Sequence, residues 1–227
     1  MVSTYSKMSL VKSNASISIL MKKLLILLLS LFFIYSPSVY ADDILKFEIE
    51  GISIGDSLLD YMTEDEILKE IEKNIDRYSY LKEPYKYVQV NLIKEFRTYD
   101  ALIFAIKNNS TNQFITNSDE KFTILYIGGN IHFVENFDSC KQKKDEIEEV
   151  LSGMFPNTKI GRSIGVKIPS DPSGKSIGDA IEFKFTSGAE IELQCTNYEE
   201  TFRIKKNWRE GLTIAIFSEE IIKWLHN

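Results

Sequence analysis

The chain has 227 residues, 44% of them hydrophobic and 26% charged, with 33 acids against 27 lysines and arginines and a formal net charge of −6. That balance repels phosphate backbones and anionic membrane faces, so nucleic acid is excluded as a partner. Two cysteines (Cys140, Cys195) and two isolated histidines (His132, His226) supply no ligand cluster of zinc type, and neither a metal nor a cofactor is expected.

Residues 1–20 form an N-terminal extension of no recognisable purpose, and Met21 is an alternative start. From Met21 to Ala41 the pattern is that of a secretory signal peptide. Lys22 and Lys23 precede an apolar run, Leu24 to Ile34, broken only by Ser30; Pro37 follows, and Val39-Tyr40-Ala41 suits a signal peptidase. The run is shorter than the roughly 20 residues a spanning helix needs. The expectation is cleavage after Ala41, a periplasmic or secreted protein with no membrane anchor after cleavage, and a single mature domain, 42–227. Residues 1–41 hold four of the 27 cations and no acid, so the mature chain has 23 against 33, a net charge of −10. Abundant Lys, Ile and Asn point to an AT-rich, bacterial genome.

Along the mature chain, residues 44–50 alternate apolar and polar and predict a first strand. Thr63-x-x-Glu66 is a capping box, and Ile67, Leu68, Ile71 and Ile75 recur at helical spacing, which predicts a helix over 64–75. Tyr78, Tyr80, Tyr85 and Tyr87 then mark a connector around Pro84; exposed tyrosines would give it amphipathic contact surface for a partner or ligand. Val88, Val90 and Leu92 share one face of a strand, and the wholly apolar Ala101–Ile106 predicts a central strand covered on both faces. Gly128-Gly129-Asn130 between two apolar runs predicts a tight hairpin turn.

A second helix opens at Asp138 or Ser139 and ends at Pro156, with Cys140, Ile147, Val150, Leu151 and Met154 as its apolar stripe. Ile181, Phe183 and Phe185, then Ile191, Leu193 and Cys195, alternate in the same odd-numbered phase. Residues paired across a hairpin share a face, so the loop between these strands holds an odd number of residues, most simply Ser187 to Ala189. Leu212–Phe217 is a last strand, and Ser218 caps a short C-terminal helix through Leu225. Strands arrive in hairpin-linked runs, which predicts an α+β fold: a mainly antiparallel sheet, two principal helices packed on it and the short C-terminal helix. Cys140 lies on the apolar stripe of its helix and Cys195 on the apolar face of its strand, so packing one on the other predicts a Cys140–Cys195 disulfide in an oxidising compartment.

Gly55-Asp56-Ser57-Leu58 resembles the nucleophile block of the GDSL hydrolases, serine esterases and lipases that are often exported. Gly128-Gly129-Asn130 is similar to that family's later glycine-x-asparagine-aspartate block, with Ile131 in place of the aspartate. The resemblance implies Ser57 as nucleophile and a parallel sheet with crossover helices. The family's C-terminal aspartate-x-x-histidine pair is missing: Gly129 and Lys223 stand three residues before His132 and His226. A serine hydroxyl is a poor nucleophile without an imidazole to take its proton. The string also reads as a turn, with Gly55 reversing the chain, Asp56 capping a helical turn and Leu58 packing inward. Gly174-Lys175-Ser176 resembles the end of a phosphate-binding loop, but Pro169 stands where its first glycine belongs. Asp56, Asp60 and Glu64–Glu66 lack calcium-loop spacing. The reading that results is a non-catalytic binding or interaction module of the cell envelope, taking a protein or a small ligand. The alternative is a divergent serine hydrolase using Ser57.

Overall fold

The computed structural model describes residues 44, 47–74, 86–92, 96–108 and 121–226. The expected cleavage after Ala41 and three tyrosines of the connector (Tyr78, Tyr80, Tyr85) lie outside the described residues. In chain order the elements are α1 (Glu64–Asn74), β1 (Tyr87–Leu92), β2 (Ala101–Lys107), β3 (Ile124–His132), α2 (Phe137–Met154), β4 (Lys159–Lys167), β5 (Ile177–Lys184), β6 (Glu190–Asn197), α3 (Glu200–Lys206), β7 (Gly211–Phe217) and α4 (Glu219–Leu225). The strands make one seven-stranded sheet in the order β1-β2-β3-β7-β6-β5-β4, and every pairing is antiparallel. The fold is therefore α+β. Two meanders, β1–β3 and β4–β7, meet where β3 pairs with β7.

Register places the apolar side chains on one face. Leu102, Phe104 and Ile106 of β2 align with Gly129, Ile127 and Ile124 of β3; Ile214 and Ile216 of β7 align with Leu193 and Ile191 of β6, and those with Ile181 and Phe183 of β5. Helix α1 buries Ile67 and Ile71 against this face, and α2 buries Cys140 and Leu151. The capping box forms: Glu66 Oε2 accepts the Thr63 N–H at 2.9 Å, and Thr63 Oγ1 accepts the Glu66 N–H at 3.4 Å. The Cys140–Cys195 disulfide forms across a Cα–Cα distance of 5.9 Å and pins α2 to β6. Pairing of Ile181 with Leu193 and Phe183 with Ile191 confirms the odd loop, which spans 186–188, one residue earlier than expected.

Four expectations are corrected. Residues 47–52 form no strand: Glu50 and Gly51 both have positive φ, and the chain reverses in a two-residue turn that bridges Ile49 to Ile52. Gly128-Gly129-Asn130 is not a turn but the middle of β3, continuous from Ile124 to His132. These glycines make room for aromatic rings, since a Cβ on Gly128 would strike the Tyr126 ring and one on Gly129 the Tyr99 ring. Strand β2 is covered on one face only; Ala101, Ile103 and Ala105 are half-buried on the other. On α2, Lys144 takes an inward position while Val150 and Met154 are exposed, at 60% and 53%. Strand β4 and helix α3 escaped the sequence pattern altogether, β4 because two glycines and a bulge interrupt its alternation.

The second face of the sheet is open at one end. Helix α4, capped by Ser218 at the Ile221 N–H (3.3 Å), closes the other end. There Ile221, Leu125 and Tyr87 form a small separate core, with Trp224 and Phe217 packed on it.

Candidate functional site

The open end of this face holds a cleft of about 780 Å³, floored by β2, β3, β6 and β7 and walled by the segment from α3 into β7. Such a volume is typical of small-molecule sites. Its floor is a row of outward residues in register: Ala101 beside Asn130, Asn130 beside Thr213, Thr213 beside Gln194. All four are half-buried. Thr213 Oγ1 donates to Asn130 Oδ1 at 2.8 Å, which fixes that amide across the β3–β7 pairing.

Helix termination builds the wall. Glu199 caps α3 by accepting the Phe202 N–H at 2.8 Å. At the other end Asn207 adopts the left-handed conformation (φ 51°), and the Trp208 N–H returns to the Arg203 carbonyl at 3.1 Å. This reversal lays the Trp208 ring against Tyr198 and Phe202, with centroids 5.3 and 5.4 Å away. Buried Glu210 then ties the wall to the end of β3, its carboxylate accepting the N–H groups of Glu135 at 2.9 Å and Tyr198 at 3.1 Å. Lys206, Trp208 and Arg209 are thereby held at the rim.

His132 stands at the end of the floor. Its N–H donates to Asp100 Oδ2 at 2.8 Å, and its Nδ1 lies 3.4 Å from the same oxygen. Burial lowers the His132 pKa below its ordinary value; Asp100 opposes this and Arg209 adds to it. At neutral pH the imidazole is uncharged. On the same face, two residues along β6 from Gln194, burial raises the Glu192 carboxyl, with Glu182 and Glu190 adding to the rise.

The residues singled out in the sequence fall elsewhere. Ser57 is 4% exposed; its Oγ donates to the Lys121 carbonyl at 2.7 Å and accepts the Leu59 N–H at 3.3 Å, capping a single 3₁₀ turn, 58–60. Asp56 caps the turn before it, its Oδ2 taking the Ser53 N–H at 2.9 Å and the Tyr61 hydroxyl at 2.8 Å. Gly55 has φ 95° and Leu58 is fully buried, so the string reverses the chain as a turn would. Tyr87 is 2% exposed: its hydroxyl donates to Glu220 at 2.9 Å and its ring packs on Trp224, so it serves the fold rather than a free surface. His226 is the C-cap of α4.

The loop over 170–176 is organised by Asp171, whose carboxylate accepts the N–H and hydroxyl of both Ser173 and Ser176 at 2.7–2.9 Å. Burial alone would raise the Asp171 pKa, but these bonds hold it far below the usual carboxylate range. Among the described residues no group of three or more His, Cys, Asp or Glu is placed to hold a metal, and no helix is long and apolar enough to cross a membrane. No family model, curated protein or solved structure matches the chain.

Proposed function

We propose that the protein is an exported, periplasmic or secreted, non-catalytic binding module whose ligand is a small molecule seated on the open face of the sheet. The observation that supports this is the cleft itself. Its floor and rim carry amide, hydroxyl and cationic groups, half-buried or exposed, where the opposite face is mostly apolar core. A protein facing solvent on this side has no folding need for such a recess. Export fits a disulfide that pins α2 to β6, because such bonds persist in oxidising compartments.

A thermal-shift screen of small metabolites on the wild type and on Ala101→Trp, which fills the floor, tests the reading. A compound class that raises the melting temperature of the wild type and not of the filled variant supports it. Binding unaffected by Ala101→Trp contradicts it. The alternative, a hydrolase using Ser57, is tested with a fluorophosphonate probe. Labelling of the wild type that disappears in Ser57→Ala would replace a binding function with a catalytic one. Two observations weigh against that outcome: the hydroxyl proton is spent on the Lys121 carbonyl, and the sheet is antiparallel rather than the parallel sheet the resemblance implies.

A further inference from the structure

We infer that the cleft takes a small organic anion, a carboxylate or phosphate on a hydroxyl-bearing body, with its charged group between Lys206, Arg209 and the amide nitrogen of Asn130. The inference rests on the cleft being the ligand site and adds the chemical class. It follows from the hydrogen-bonding capacity the fold leaves unused. The Thr213 hydroxyl occupies Asn130 Oδ1 at 2.8 Å, so that side chain offers the cleft its NH₂ group. Among the described residues, that nitrogen, the Gln194 carboxamide and the charged ends of Lys206 and Arg209 make no hydrogen bond or ion pair within the chain. Lysine and arginine only donate.

The acceptors of the lining are engaged or uncharged. Glu210, the acid in the lining, has one carboxylate oxygen on the Tyr198 N–H and the other on the Glu135 N–H. Asp100, outside the lining, has its Oδ2 on the His132 backbone N–H and ring. What remains is uncharged: the amide oxygens of Gln194 and Asn207, the hydroxyls of Ser170, Thr196 and Tyr198 and the second nitrogen of His132, which orient hydroxyl groups but do not neutralise the two cations. A ligand rich in acceptors at one end is the complement of this set, and an anion satisfies two cations at once.

Charge distribution agrees. The chain is acidic overall, yet Arg203, Lys205, Lys206 and Arg209 fall within 203–209, and Lys206 and Arg209 line the cleft; among the described residues only Arg203 of the four forms an ion pair, with Glu135 at 3.9 Å. On the other side of Gln194, about 7 Å along the strand, Glu192 and its partner Glu182 occupy the same face. An anion is repelled from that side and drawn to the Arg209 end, which gives the ligand a single orientation.

Calorimetric titration of the purified protein with glucose, glucuronate and glucose 6-phosphate separates charge from body, since the three share one ring and differ at C6. At least one charged sugar is expected to bind saturably and about tenfold or more tighter than glucose. A Lys206→Gln, Arg209→Gln double variant, altered only at exposed positions, is expected to lose that advantage and keep its melting temperature. Glucuronate ahead of the phosphate assigns a carboxylate, and the reverse a phosphate; both support the inference. Equal affinity for all three, or an advantage that survives in the double variant, overturns it. If such charge-blind binding is abolished by Ala101→Trp, the cleft stands as the site and only the anion falls. No saturable binding of either charged sugar at millimolar concentration also overturns the anion, while the metabolite screen judges the cleft separately.

Discussion

The two faces of the sheet are built from alternate residues of the same strands, and they are made for different ends. On the helix-covered face, Phe104, Ile127, Ile216, Ile191 and Phe183 run side by side in register with no polar atom among their side chains. Three residues along each strand, the open face presents Ala101, Asn130, Thr213 and Gln194 in another register row. The first row excludes water and carries stability. The second leaves polar groups short of partners, which stabilises nothing in the free protein and becomes useful only when something else supplies the partners. The contrast shows where to look for function in this fold: on the face where side chains are held in place but not consumed.

Substitutions should therefore divide by face. The largest loss is expected on the covered face, where Phe104→Ala removes a fully buried ring and costs about 3–5 kcal/mol in urea unfolding. Next is the joint change Cys140→Ala and Cys195→Ala, which frees a loop with a sequence separation of 55 and costs about 2–4 kcal/mol, measured the same way under non-reducing conditions. Gly129→Ala, whose new methyl must displace the Tyr99 ring, costs about 1–3 kcal/mol.

Asp171→Asn tests the loop over 170–176 by its pH signature. The wild-type carboxyl lies below its ordinary value, so its contribution is complete at neutral pH and is lost as pH falls through the depressed value. The gap in melting temperature between wild type and variant is expected to be widest near neutrality and to narrow on acidification. A gap that widens in acid would mean that the four hydrogen bonds do not form. The smallest effect belongs to the open face: Gln194→Ala should change stability by no more than about 0.5 kcal/mol, and a larger loss would mean that this amide serves the fold.

Much of the covered face was legible from the sequence, because burial imposes a period. The shared odd phase of Ile181, Phe183, Ile191, Leu193 and Cys195 showed the β5–β6 pairing, and the phase of Cys140 on its helix showed where the bridge would close. Elsewhere local signals misled. Gly128-Gly129 carries the composition of a turn, yet its glycines answer to two aromatic rings, Tyr126 and Tyr99, the second contributed from 30 residues upstream of Gly129. Lys144 occupies a buried position on α2 although its residue type marks it for solvent. The cleft left no trace in the sequence. Asn130, Gln194 and Thr213 come from three strands, and each alone is an ordinary polar residue at an outward position. Only the β3-β7-β6 order brings them together, and that order depends on the connection through α2 that carries the chain from β3 to the far edge at β4, so that the second meander ends beside β3.

The most direct test of the division between faces is a map of backbone amide shifts by two-dimensional NMR as glucuronate or glucose 6-phosphate is titrated into the protein. The largest changes are expected at Asn130, Gln194 and Thr213 and at the Trp208 indole, with Ser57 and the residues of α1 and α2 unmoved. Shifts gathered around Ser57, or spread over the helix-covered face while the cleft stays silent, would contradict the assignment of function to the open face.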